Sequence, residues 1–145
     1  MATARDLIKN KDVTKTLSIS PTATVFEAIT MMATNNVGAV LVEAVADRVL
    51  GILTERDIVV KVDAKGLDLT TTKVSEVMTE KVLYVESNQS IEECMELMNI
   101  KGIRHLPVYE QGNLMGLISI RDVLREVISE QKTMISHLEN YISGL

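Results

Sequence analysis

The chain is short of several residue types. Its 145 residues contain no tryptophan, one phenylalanine, three tyrosines, two prolines and one cysteine. A lone cysteine excludes an internal disulfide and any multi-cysteine metal site. Cys94 falls in the apolar stripe of a predicted helix and reads as a core residue rather than a nucleophile. With so few aromatics the core must be aliphatic, and the eight methionines serve as filler in it rather than as a cofactor box. No apolar run approaches the roughly 20 residues that cross a bilayer. The N-terminus also lacks a basic segment followed by a hydrophobic one, so the reading is a soluble, unprocessed, cytoplasmic protein. Cations are outnumbered as well, 15 Lys and Arg against 20 Asp and Glu, for a net charge of −5. That balance argues against broad affinity for nucleic acid or an anionic membrane. It does not bear on one small anion, which needs only a few cations aimed at a point.

What the chain does have is a repeat. Gly51-Ile52-Leu53-Thr54-Glu55-Arg56-Asp57 returns 65 residues later as Gly116-Leu117-Ile118-Ser119-Ile120-Arg121-Asp122. Each copy reads as a short apolar strand that meets a hydroxyl residue and opens a helix, whose first turn presents unpaired N–H groups and a positive dipole end. Upstream, Thr24-Val25-Phe26-Glu27 and Ser90-Ile91-Glu92-Glu93 are matching capping boxes. Helical stripes follow them through Val25, Ala28, Ile29 and Met32, and through Ile91, Cys94, Met95 and Met98. Short strands precede the boxes, carried by Leu17 and Ile19 ahead of Pro21, and by Leu83 and Val85 within Val82 to Val85. Strand pairs follow the helices, Val40–Val42 with Val49–Leu53 and Leu106–Tyr109 with Leu114–Ile118. Their loops are Glu43 to Arg48 and the tighter Glu110 to Asn113 with its glycine.

Each half is therefore strand, helix, strand, strand, helix. A unit of about 50 residues is too small to bury both faces of a three-stranded sheet. The fold class expected is α+β: two β-α-β-β-α repeats packed face to face about a pseudo-two-fold axis, with an extended C-terminal helix. The expected boundaries are 4–65 and 74–130 for the repeats, 66–73 for the connector and 131–145 for the helical extension. Ala4 to Lys9 resembles Ser75 to Thr79, a linker helix at the start of each half. The last helix carries its apolar stripe on through Leu124, Val127 or Ile128, Ile135, Leu138, Ile142 and Leu145. That stripe needs a partner, and a homodimer is its simplest source.

With the repeat laid out, the sequence resembles a tandem pair of cystathionine-β-synthase (CBS) domains, often called a Bateman module. The resemblance spans Ala4 to Glu130. It rests on the two G-x-x-[ST]-x-x-D copies and on Gly102-Ile103-Arg104-His105-Leu106-Pro107-Val108. It implies a regulatory or energy-sensing module that binds an adenosine-containing ligand, AMP, ADP, ATP or S-adenosylmethionine, in clefts between the halves. In that family the aspartates hold the ribose hydroxyls, here Asp57 and Asp122, with Thr54 and Ser119 beside them. A carboxylate accepting two hydrogen bonds from a cis-diol makes chemical sense of this. For the phosphates the resemblance points to Arg104 and His105, and to Arg56 and Arg121 reaching across to the ligand of the other half, Arg56 with Asp122 and Arg121 with Asp57. Adenine would lie by Thr16, Ser18, Ile19 and Pro21 at the Asp122 site, and by Leu83 to Val85 at the other; Pro107 completes the strand motif. The first half has Gly38-Ala39 where the second has Arg104-His105, so the sites should be unequal. Lys15, Thr16 and Ser18 favour the Asp122 site as the stronger.

Plainer roles fit the same residues. Thr54-x-x-Asp57 and Ser119-x-x-Asp122 fit generic helix caps, Arg104-His105 fits a solvated strand end, and His137 an exposed helix position. A structural dimerisation domain with vestigial sites is the alternative function. A small hydrolase using His105 is disfavoured, since no nucleophile–base pair or metal cluster accompanies it. The reading is thus a non-enzyme with no catalytic cofactor or metal, a small-molecule ligand and an unidentified regulated protein.

Overall fold

A computed structural model describes residues 2–11, 17–45 and 48–144. The chain forms two compact units, one of Lys15–Leu83 and one that joins Met1–Thr14 to Tyr84–Leu145. In the first, β1 (Ser18–Ile19) lies parallel to β2 (Ala39–Glu43), and β2 pairs antiparallel with β3 (Val49–Thr54). The helix α2 (Val25–Asn35) connects β1 to β2 and buries Val25, Ala28 and Met32 against the sheet, as its spacing predicts. Thr24 caps α2, its hydroxyl accepting from the Glu27 N–H, and Asn36 ends it in the left-handed conformation. After β3 the chain makes one turn of helix, α3 (Glu55–Asp57), and then widens into a π-helical segment, Ile58–Asp63.

The second unit repeats the plan with β4 (Val85–Glu86), α5 (Ile91–Lys101), β5 (His105–Glu110) and β6 (Asn113–Ser119), again ordered parallel then antiparallel. Equivalence is close, Ile19 facing Val42 as Val85 faces Val108. Gln111 and Gly112 both take positive φ in the β5–β6 turn, the conformation that tight hairpins demand and glycine supplies at no steric cost. The strand expected over Val82 to Val85 is displaced. Only Val85 and Glu86 pair with β5, while Leu83 and Tyr84 are exposed and the Tyr84 ring sets its edge to Tyr109, centroids 5.2 Å apart.

The two short linker helices occupy exchanged positions. α1 (Ala4–Lys9) packs in the unit of the second sheet, and α4 (Val74–Val77), just ahead of that sheet in sequence, packs in the unit of the first. The same backbone bonds hold both. Val74 and Ser75 donate to Ala23 and Pro21 at 2.8 and 3.0 Å, and Ala4 and Arg5 donate to Gln89 and Ser87, both at 2.9 Å. In return the first N–H of α2, on Val25, donates to Thr72, and that of α5, on Ile91, donates to Ala2. A helix start leaves such N–H groups orphaned, and the segment ahead of each exchanged helix satisfies one of them. Ala4, Leu7, Val74 and Val77 complete the bargain by burying their side chains in the unit that receives them.

The last helix, α6 (Ile120–Ser143), runs 24 residues. Val123 is buried in the second core, but Met134, Ile135, Leu138, Tyr141 and Ile142 are each more than half exposed. No helix among the described residues is long and apolar enough to cross a membrane.

Candidate functional site

Each unit brings its repeated motif to the same place, the end of a hairpin where the last strand turns into a helix. In the first, Thr54 sits opposite Ala39 and the Glu55 N–H donates to the Gly38 carbonyl at 3.0 Å. Asp57 folds back on the turn, its Oδ2 accepting from the Thr54 backbone N–H at 3.0 Å and the Thr54 hydroxyl at 3.2 Å. The other oxygen, Oδ1, accepts from the Thr79 hydroxyl at 3.0 Å and pairs with Lys61 Nζ at 3.0 Å. Lys61 also donates to the Val77 carbonyl at 3.1 Å. Asp57 is 7% exposed, and both its oxygens are committed.

In the second unit His105 sits opposite Ser119 and the Ile120 N–H donates to the Arg104 carbonyl at 2.8 Å. Arg104 and His105 therefore hold the positions that Gly38 and Ala39 hold in the first. Asp122, 8% exposed, accepts from the Ser119 N–H at 2.8 Å through Oδ2, which also pairs with Lys11 Nζ at 3.0 Å. Lys11 is anchored in turn by donating to the Leu117 carbonyl at 2.7 Å. Arg125 Nη1 lies 3.8 Å from the other oxygen, Oδ1. The two carboxylates thus share a cap and a lysine but differ in the second oxygen.

Comparison with known proteins bears on what such a pair is. The CBS domain model matches residues 4–63 and 74–129. The chain belongs to the CBS-domain family. The CBS protein YhcV of Bacillus subtilis is 37% identical over 136 residues, covering 90% of this chain and 95% of its own length. The mitochondrial CBSX3 of Arabidopsis thaliana is 36% identical over 125 residues, 83% of this chain, which spans 61% of the length of that relative. A putative signal-transduction protein with CBS domains from Burkholderia ambifaria superposes with a TM-score of 0.85 at 41% identity, over 90% of this chain and 96% of that one. A CBS domain protein of Pyrobaculum aerophilum, solved in complex with AMP, superposes with a TM-score of 0.72 at 27% identity, over 88% and 98%.

The remaining residues singled out in this CBS pair are divided between the units. Arg104, His105, Ser119, Arg121 and Asp122 gather at one end of the second sheet, Arg104 and Arg121 exposed and His105 and Ser119 half-buried. Pro107 is buried farther along β5, opposite Leu117. In the first unit Thr54, Arg56 and Asp57 gather equivalently, with Arg56 exposed. Ser18 and Ile19 lie on β1, one strand removed from β3; Ser18 is exposed, Ile19 is buried in the core and Pro21 is half-buried. Lys15 and Thr16 lie outside the described residues.

Three groups at the sites escaped the sequence reading. Lys61 was within reach of it, because Asp57 and Lys61 stand four apart on a helix, a spacing that brings side chains together. Lys11 and Thr79 carried no such signal, since they arrive through the exchanged helices. Cys94 is buried, and burial pushes its thiol up to about 11, the property of an inert core residue. No group of three metal-ligating side chains occurs among the described residues.

Proposed function

We propose that this CBS pair is a regulatory module that binds an adenosine-containing ligand, AMP, ADP, ATP or S-adenosylmethionine, and that Asp122 receives the ribose hydroxyls. The observation that carries this reading is the uneven use of two equivalent buried carboxylates. Among the described residues, Oδ1 of Asp122 accepts no hydrogen bond and has an arginine at 3.8 Å, whereas Oδ1 of Asp57 has a hydroxyl and an ammonium at 3.0 Å. A carboxylate paired with Lys11 through Oδ2, with Oδ1 facing no described donor, is suited to accept from a diol. Arg104 stands at the same end of the sheet, with His105 beside it, and supplies positive charge for phosphate in a chain whose net charge is negative. The AMP complex of the Pyrobaculum relative supports the ligand class. Nothing in this chemistry calls for bond-breaking, and the module acts by binding: ligand shifts its conformational equilibrium by the difference in affinity for the states involved.

Titration calorimetry with AMP, ADP, ATP, S-adenosylmethionine and adenosine tests the proposal. One of them should bind, and at about 100 times its dissociation constant should add about 2.7 kcal/mol of stability. Asp122→Asn should weaken that ligand at least tenfold, while Asp57→Asn changes its affinity little. No heat and no thermal shift with any of the five would refute ligand binding. Equal losses in the two variants would refute the assignment to Asp122.

A second reading, a structural module with vestigial sites, is favoured by Asp57 itself. Its four partners make it a clamp between β3, the π-helical segment and the residues after α4. The same calorimetry separates the two, since the structural reading predicts silence from every ligand.

A further inference from the structure

The apolar face of α6 beyond the second core is organised in sevens. Ile128, Ile135 and Ile142 form one column, Leu124, Gln131 and Leu138 a second, and Val127, half-buried at the edge of the second core, begins a third with Met134 and Tyr141. At 1.5 Å per residue the helix is about 36 Å long, and its last two turns expose Leu138, Tyr141 and Ile142 at 55%, 70% and 67%. A monomer rarely leaves such a stripe in water, and an apolar seven-residue repeat is the signature of a helix that packs on another along its length.

We infer that α6 pairs antiparallel with α6 of a second copy about a two-fold axis passing near Thr133. The sequence read against its own reversal carries the inference. Centred there, Leu124 meets the second copy's Ile142, Ile128 meets its Leu138, and Val127 meets its Tyr141. Arg125 faces the second copy's Glu139, and Met134 packs on its own equivalent. Apolar meets apolar in every such layer but the central one, where Gln131 faces the second copy's Ile135. A parallel pair would instead set the apolar third column against the charged flank, Val127 beside the second copy's Lys132 and Met134 beside its Glu139. The self-complementary pattern, with an opposite-charge contact at each end, matches the isologous contact that a two-fold dimer requires.

Single cysteines report the geometry, because the native Cys94 is buried. Under mild oxidation Met134→Cys should cross-link to its own equivalent. Ile142→Cys should not cross-link alone, yet should do so when mixed with Leu124→Cys. Wild type should sediment as an even-numbered assembly at micromolar concentration, and Ile135→Asp with Leu138→Asp should halve its mass while leaving the circular dichroism folded. Self-cross-linking of Ile142→Cys as strong as that of Met134→Cys would show a parallel pair and overturn the orientation. A wild-type monomer, or an assembly untouched by the double substitution, would overturn the interface and leave the stripe to another segment or protein.

Discussion

Removing the Asp57 carboxylate, by Asp57→Ala, probes the most heavily committed side chain of the first unit. It caps the turn through the Thr54 N–H, and a hydrogen bond from a backbone N–H to a carboxylate contributes about 1.5–3 kcal/mol net. The Thr79 hydroxyl adds a second bond of this charged kind. The Lys61 pair adds less, about 0.5 kcal/mol once discounted for solvent, because the lysine side chain is 36% exposed and keeps the Val77 carbonyl when Asp57 is gone. Against these stands the cost of desolvating a carboxylate that is nearly buried, which the substitution recovers. The balance is a loss of about 3 kcal/mol, or roughly 6–12 °C in Tm for a chain of this size. Asp57→Asn keeps an acceptor for the Thr54 N–H and should lose about 1 kcal/mol. Asp122→Ala removes fewer partners and should lose about 2 kcal/mol. Urea denaturation followed by circular dichroism reads all three, with an unchanged slope showing that stability alone has moved. A loss below about 1 kcal/mol for Asp57→Ala, or a larger loss at Asp122 than at Asp57, would refute the reasoning.

Other outcomes follow from single residues. A Cβ on Gly51 would fall 2.7 Å from the Thr79 carbonyl oxygen and 2.8 Å from Met78 Sδ. The thioether can swing aside but the carbonyl cannot, since Ile52 and Thr79 exchange backbone bonds of 3.0 and 2.8 Å. Gly51→Ala should therefore cost about 2–3 kcal/mol in the same denaturation assay. Cys94, with its raised pKa, should resist iodoacetamide in native protein at pH 8 and react at once in denaturant, as mass spectrometry would show. Asp68 is held below the usual carboxylate range by the Thr70 hydroxyl and backbone N–H. A lowered folded pKa contributes stability that is fully present above the unfolded value near 3.8 and lost as pH falls through the folded one. Asp68→Asn should accordingly flatten the acid limb of a stability-against-pH curve and leave the difference from wild type constant above about pH 6.

The repeat, its elements and most of their boundaries were legible because they rest on local rules. Helix caps at Thr24 and Ser90, seven-residue spacing in α6 and the glycine of the second hairpin all express short-range chemistry. Val82 to Val85 misled for the same reason. The apolar run has the composition of a strand, but of its residues only Val85 is paired to β5, and composition does not reveal which carbonyl lies opposite. The exchange of α1 and α4 was invisible on similar grounds, because the bonds that dock them run between backbone groups such as Val25 and Thr72, which any side chain could carry. At the sites the motif residues were readable from the repeat, and the matching of Arg104-His105 to Gly38-Ala39 reappears in the strand register. The lysines that neutralise the two aspartates depend on tertiary placement, and only Lys61 left a local trace.

That placement accounts for the difference between the two carboxylates. Both motifs use Oδ2 for the cap, so capping does not by itself compete with a ligand, because a carboxylate has a second oxygen to offer. What happens to Oδ1 is decided by the segment after the exchanged helix. Aligning Ala4 with Val74 sets Lys9 at the place of Thr79, and among the described residues the hydroxyl that engages Asp57 has no counterpart beside Asp122. Lys11 approaches from the same segment but takes Oδ2 and the Leu117 carbonyl. In the first unit the lysine comes instead from the π-helical segment after Asp57, and it joins Thr79 on Oδ1. The inequality of the repeats therefore has two sources. One lies in the strands, where Arg104 and His105 replace Gly38 and Ala39. The other lies in the exchanged linkers, so that each repeat's buried carboxylate is tuned by a residue from the N-terminal segment of the other repeat.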